Sequence, residues 1–435
     1  MTELSDSLRE EADAQVASPH YLKTVTRLGD RRALVTSQEI FSSIGIKLVN
    51  KGASFNSKLY DQLAQHKLIP SIDQCVSIDD PVSAEGLATQ VRDMLASDPC
   101  FALLADRFPH TDAIVQTIAR IPLNPVIAFK LSVMRDTRPE LMKHSLFVSV
   151  VSTYIGIRAG LPEAQLTDLA CAGLLHDIGT LHIDPKLLER GHVLTDRERR
   201  HLYAHPVTAY LILEAFPEYD RELLKAVLDH HERLDGSGYP RGLHAPASSR
   251  LGQIVSVAEV VGSRLERADD PYGNLRLETI LKLNSRRYGR EYIGYLHLFY
   301  ARQTDDEPAC PPEKRELMRK RIRDISRVLD SWDRTYSSFR GSHPVVAFID
   351  DLMSDLLVAV QDAGFDPKQA AAMALSEDDP NLCVEMGILA DEAFWRVKEI
   401  LQEILRRWPL LELEDSASDL HSVTDWLLEV KSLTR

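Results

Sequence analysis

Cysteine is scarce in this 435-residue chain: the five present (Cys75, Cys100, Cys171, Cys310 and Cys383) lie far apart, odd in number and without a C-x-x-C pair. That pattern excludes a disulfide framework and a zinc ribbon and fits reduced thiols. Long apolar runs are missing too. None approaches the roughly 20 residues of a membrane span, and the polar, acidic N-terminus lacks an apolar signal segment. A soluble, cytoplasmic protein is the expectation. Basic charge is in deficit, with 51 Lys and Arg against 65 Asp and Glu and a net charge of -14. Broad nucleic-acid or anionic-membrane binding needs a basic footprint, so an anionic substrate must be drawn in by bound metal or by local arginines.

Histidine is where the sequence is rich. The stretch from His176 to Tyr239 contains His176-Asp177-Ile178-Gly179, His205, the pair His230-His231, and the loop Asp235-Gly236-Ser237-Gly238-Tyr239-Pro240. One His-Asp or His-His pair alone is ordinarily an accident of a helix surface. Their order, their helical context and further candidates outside the stretch point instead to a cluster of divalent metals. Neutral imidazole nitrogen and carboxylate oxygen suit Fe, Mn or Zn without any thiolate. Cys171, five residues before His176, would point about 140° away on a helix and reads as core.

The length predicts two or three domains, drawn here as 1–130, 131–310 and 311–435. Residues 1–30 are charged and turn-rich, with a loosely ordered start expected. Short apolar runs broken by glycine follow from Ala33 to Ile78, including Ile44 to Gly52, and predict a small β-hairpin and helix unit. Ser83–Phe108 and Thr111–Ile121 read as helices. Pro139 opens a helix to Ala159 that carries Glu140 and His144 on one face, and the next helix ends at His176-Asp177, where its dipole favours a cation. Thr195 and Glu198 form a capping box for a helix bent at His205-Pro206. Glu222–His231 is a further helix, and its two terminal histidines point about 100° apart, toward different metals. Glu259 is an acid on a largely apolar helix among small neighbours, Gly252, Ser256 and Gly262. Beyond Glu313 nearly everything reads as helix without a ligand cluster.

These residues resemble the HD-GYP domain family, helical metal-dependent phosphodiesterases that cleave cyclic di-GMP. The resemblance covers about 136–303 and rests on His-Asp-Ile-Gly at 176–179, His-Pro at 205–206, the run from His230 to Leu243, and Val257-Ala258-Glu259. It implies a mainly α fold: a helical HD-type metallo-phosphohydrolase domain, with a small N-terminal α+β unit and an all-α C-terminal extension. It implies metal ligands at Glu140, His144, His176, Asp177, His205, His230, His231 and Glu259, for two or three divalent ions, iron first and manganese as the alternative. His176 and Asp177 are the expected catalytic pair, with Asp177 bridging neighbouring ions. Thr180, Asp235, Gly236, Gly238, Tyr239 and Arg267 are the expected substrate contacts. The activity implied is hydrolysis of cyclic di-GMP to pGpG and/or GMP by metal-activated hydroxide. The alternatives are a catalytically weak receptor or signalling scaffold for a cyclic dinucleotide, and a phosphohydrolase for another nucleotide. Expected partners extend to diguanylate cyclases and to a second copy of the chain.

The chain departs from the family pattern at two places. Thr180 stands where the motif has lysine, which removes a charge-assisted phosphate contact worth about 1.5–3 kcal/mol; His182 or Lys186 is the nearest substitute. Glu259 stands for aspartate and must fold back, or its helix must shift, to keep a ligand distance.

Overall fold

The computed structural model of the chain describes residues 6–16, 19–189, 191–192, 194–265, 272–300, 312–339, 343–364, 366, 380–408 and 420–433. The fold is mainly α, and it divides into Met1–Glu266 with Arg287–Phe299, and Arg267–Arg286 with Tyr300–Arg435. The division differs from the three segments read off the sequence, because the N-terminal segment joins the central helices in one unit. Helix Asp6–Val16 buries Ala12 beside Val207 and Leu228. Helix Pro19–Leu28 buries Tyr21, Val25 and Leu28 and packs on helix Pro125–Thr137. Burial thus orders a stretch that charge and turn residues alone mark as loose.

The α+β segment follows. Strand β1 (Leu34–Thr36) pairs antiparallel with β5 (Val76–Ile78), while β2 (Ile40–Ser42) lies between β3 (Lys47–Val49) and β4 (Leu68–Ile69). The β2–β3 hairpin turns at Gly45, whose φ of 84° is the left-handed region glycine favours. The single helix expected over Ser83–Phe108 is broken. Asp98 caps a new turn with Pro99 in its first position, leaving Ala84–Ser97 and Ala102–Arg107 as separate helices.

Helix Pro139–Arg158 is the central post of this unit, buried on nearly every side from Met142 to Gly156. Helices Glu163–Leu175 and Arg250–Leu265 pack along it. Leu169, Leu174 and Leu175 are fully buried, and each contributes about 1.5–3 kcal/mol by leaving water. Cys171 is buried among them as a free thiol, as its direction on the helix predicts. The Thr195–Glu198 capping box forms, but its helix stops at Tyr203 and a new one runs from His205 to Glu214. Pro206 therefore sits in a first turn, where its missing N–H costs nothing, and no bent helix interior is involved.

The second unit is helical throughout its described residues: Gly273–Leu283, Pro312–Ser338, Pro344–Asp362, Pro380–Arg407 and His421–Leu433. Its core centres on Trp332 and Trp426, whose rings lie 4.8 Å apart and whose indole N–H groups donate to Asp350 and Ser331. His343 caps helix Pro344–Asp362 through the Val345 N–H, a structural task. Among the described residues no helix is long and apolar enough to cross a membrane.

Candidate metal centre

Three histidines of the central unit occupy helix ends, and that placement fixes what their rings can do. His176 closes helix Glu163–Leu175, and His230 closes helix Arg221–Asp229. Each donates Nδ1–H to the carbonyl three residues earlier, Gly173 at 2.8 Å and Val227 at 2.6 Å. His205 does the same to Leu202 at 2.7 Å. A helix end leaves such carbonyls without a partner, so each ring meets a backbone need and, in its neutral form, carries the lone pair on Nε2.

These lone pairs converge. Asp177, His205, His230 and His231 form one group, and His144, His176 and Glu259 another, with the donor atoms of each group within 4.8 Å of one another. Asp177 spans both. Its Oδ1 lies 3.1 Å from His205 Nε2 and 4.0 Å from His230 Nε2, and its Oδ2 lies 3.5 Å from His176 Nε2. His205 Nε2 faces His230 Nε2 at 3.3 Å. With both protons held on Nδ1, this is an approach of acceptor to acceptor, which a cation makes favourable and nothing else on these rings does. His176 Nε2 and Asp177 Oδ1 are likewise buried with no hydrogen-bond partner, a costly arrangement for polar atoms kept from water. Five imidazoles and two carboxylates fit borderline divalent ions.

Two close approaches bring the donors together. A Cβ on Gly179 would stand 2.2 Å from the His205 carbonyl oxygen, so only glycine lets the turn after Asp177 press against the start of helix His205–Glu214. A Cβ on Gly262 would meet the His144 ring at 3.1 Å, and that ring reaches Glu259 Oε2 at 2.6 Å. Glu259 Oε2 also lies 3.3 Å from His176 Nε2. The longer side chain thus still delivers an oxygen to the second group.

Protonation follows the same geometry. Burial, then the neighbouring rings, keep His230 far below the ordinary histidine value, and burial, then His205, lower His231 to about 3. Both stay neutral, the form that ligates. Burial would lower His176 as well, but Asp177 and then Glu259 outweigh it and raise the ring to about 9. Burial would raise both carboxylates; His176 and His205 instead hold Asp177, and His144 and His176 hold Glu259, well below the usual range. The place between the groups attracts positive charge.

Other expected site residues take different positions. Glu140 is exposed at the start of its helix and stands outside both groups. Thr180 is buried and donates its hydroxyl to the Asp177 carbonyl at 2.7 Å, so it closes the turn. His182 is buried with Nε2 3.2 Å from Lys130 Nζ, and Lys186 is exposed. Asp235 accepts from Ser237 and pairs with the buried Arg287 at 2.9 Å. Gly236 and Gly238 lie in the same loop, the former with a φ of 76° and no room for a Cβ beside His244. Tyr239 packs on His231, ring centroids 4.6 Å apart, and burial keeps its phenol protonated. Arg267 lies outside the described residues.

Several residues that hold the site escape the sequence reading. Arg138 donates to the carbonyls of Thr180 and Ile183 at 2.8 and 3.1 Å and so grips the turn behind Asp177. Glu232 accepts from the N–H groups of Arg241 and Leu243 at 2.7 and 2.8 Å, and Asp229 pairs with Arg241 and accepts from Ser249 N–H. The glycine loop is therefore pinned from below by two buried acids. Glu232 lies inside the run that carries the family resemblance; Arg138 and Asp229 have no such signal.

The HD domain family model matches residues 123–273, the span that contains every residue of both groups. This segment is similar to HD domains. A cyclic di-GMP phosphodiesterase of Thermotoga maritima is 31% identical to this chain over 190 residues, 41% of this chain and 50% of that protein. A 3'3'-cGAMP-specific phosphodiesterase of Vibrio cholerae, the third so named, is 31% identical over 134 residues, 31% of this chain and 28% of its own length. A solved structure, Bd1817 of Bdellovibrio bacteriovorus, described as a HDG"Y"P protein, aligns with 62% of this chain and 96% of its own at 15% identity and a TM-score of 0.35. The chain spans half or less of the length of these curated relatives.

Proposed function

We propose that the chain is a metal-dependent phosphodiesterase that hydrolyses cyclic di-GMP to pGpG and/or GMP. The observation that carries this reading is Asp177 between two sets of imidazoles whose lone pairs converge at 3.1–4.0 Å. Two ions, iron or alternatively manganese, would be held by His205, His230, His231 and Asp177, and by His144, His176 and Glu259. Bound divalent ions supply Lewis-acid polarisation of the phosphate ester and a nucleophile from water at neutral pH. The chain's own part is preorganisation. Carbonyls of Gly173, Leu202 and Val227 fix the ring tautomers, Arg138 holds the Asp177 turn, and the pinned loop keeps Tyr239, a protonated phenol, beside His231 as a donor to phosphate. The substrates in the relatives' names, cyclic di-GMP and 3'3'-cGAMP, support a purine cyclic dinucleotide.

A second reading is a metal-bearing receptor with weak turnover. It is favoured by Thr180, whose hydroxyl is spent on the Asp177 carbonyl where the family motif has a lysine. Full-length chain prepared anaerobically with iron or manganese and given cyclic di-GMP separates the two. Linear pGpG or GMP supports the enzyme; binding without product under either metal supports the receptor.

A further inference from the structure

Tyr239 is an expected substrate contact, and both faces of its ring are engaged. Tyr203 stacks on it with ring centroids 3.9 Å apart and planes within 5°. His231 packs on it at 4.6 Å and 32°. Two rings this close cannot share one face, so a column runs outward from the metal ligand through Tyr239 to Tyr203. Tyr203 ends the helix Asp196–Tyr203, two residues before His205, and is 36% exposed. The stack with Tyr239 restrains its ring, and Tyr203 is the most exposed ring of the column, Tyr239 and His231 being half-buried. Arg200, three residues earlier and so on the same face of the helix, is exposed. It sets a cation beside that ring in a chain of net charge -14.

We propose that Tyr203 is the stacking platform for a purine base of the substrate, with Arg200 beside it for the base edge or its phosphate. This rests on the cyclic dinucleotide reading above and adds a specificity residue to it. An aromatic face held rigid loses little freedom when a base settles on it, and a purine covers more of it than a pyrimidine does. The arrangement also explains why Tyr239 can keep its hydroxyl for phosphate: the base is received one ring further out.

The test compares full-length manganese-loaded wild type with Tyr203→Phe, Tyr203→Leu and Tyr203→Trp on cyclic di-GMP and cyclic di-UMP, with metal per chain measured in each. Wild type and Tyr203→Phe should prefer the purine dinucleotide. Tyr203→Leu should lose roughly 5- to 150-fold in kcat/KM on cyclic di-GMP, mainly through KM, with a smaller loss on cyclic di-UMP. Tyr203→Trp, with a larger face, should lower KM for cyclic di-GMP, an outcome that a merely structural tyrosine does not give. Equal losses on both substrates, or an unmoved KM for cyclic di-GMP in both Tyr203→Leu and Tyr203→Trp, overturn the platform while leaving the phosphodiesterase reading intact. Cleavage of neither substrate by wild type overturns that reading and the platform with it.

Discussion

Two buried polar clusters meet the short helical turn Ile178–His182, one at each end, and they solve the burial problem in opposite ways. At the His182 end, Lys130 Nζ lies 2.8 Å from Asp73 and 3.2 Å from His182 Nε2, and stands 3.9 Å from the centre of the Tyr21 ring. Tyr21 donates to Asp73 and stacks on His182 at 4.6 Å. Ammonium meets carboxylate, and hydroxyl meets carboxylate. At the Asp177 end the residue types are similar, but the donors are already spent on backbone carbonyls and acceptors face acceptors. The difference teaches that a metal centre is marked by surplus acceptors and not by histidine and aspartate as such. A structural cluster brings its own cation; the candidate metal centre would import one.

The largest effect should come from removing the carboxylate that joins the two groups. Asp177→Ala is expected to lose metal from both sides and to abolish cyclic di-GMP hydrolysis. The stabilisation of about 2.7 kcal/mol that metal confers at a hundredfold excess over its Kd should vanish with it. Elemental analysis and thermal unfolding with and without metal read both effects; retained metal would erase the distinction between the clusters.

Next comes the other end of the turn. Lys130→Met leaves Asp73, whose side chain is 10% exposed, without its ammonium partner and should cost up to about 3–5 kcal/mol in chemical denaturation, while metal per folded chain stays at the wild-type value. Adding Asp73→Asn should recover part of the loss. Loss of metal in the single variant would mean that the two clusters are one device.

A smaller change is expected under the loop. Glu232→Ala removes the acceptor of two backbone N–H groups and should cost about 1.5–3 kcal/mol, lowering kcat/KM for cyclic di-GMP with metal content kept. An unaltered kcat/KM would detach the loop from substrate handling.

The smallest expected effect is acid sensitivity from His182. Burial, then Lys130, hold it far below its ordinary value, so the folded state keeps it neutral while the unfolded chain takes up a proton below about pH 6.5. Its contribution is therefore complete above that pH and is lost on acidification, by about 1.4 kcal/mol per pH unit. Metal-loaded His182→Gln should show a shallower loss between pH 6.5 and 5 than wild type; parallel curves would contradict the assignment.

The candidate ligands stand out in the sequence because a motif and helix-end logic coincide at His176, His205 and His230. Glu140, which the family resemblance implies as a ligand and which shares a helix face with His144, lies about 6 Å further along the axis, at the exposed helix start. His205-Pro206 reads alike as an interior kink and as a first turn; only the end of the preceding helix at Tyr203 decides. The Tyr21, Asp73, Lys130 and His182 cluster obeys no spacing rule, since its members come from four elements brought together by packing. For the same reason the ordered N-terminal helices and the Tyr203 column were invisible in the sequence.

The most direct measurement is anomalous diffraction on metal-loaded full-length protein, paired with elemental analysis. The account predicts two peaks flanking the Asp177 carboxylate, one within ligand distance of His205, His230 and His231 and the other of His144, His176 and Glu259. A protein that takes up no divalent metal, or that binds it away from Asp177, would contradict it.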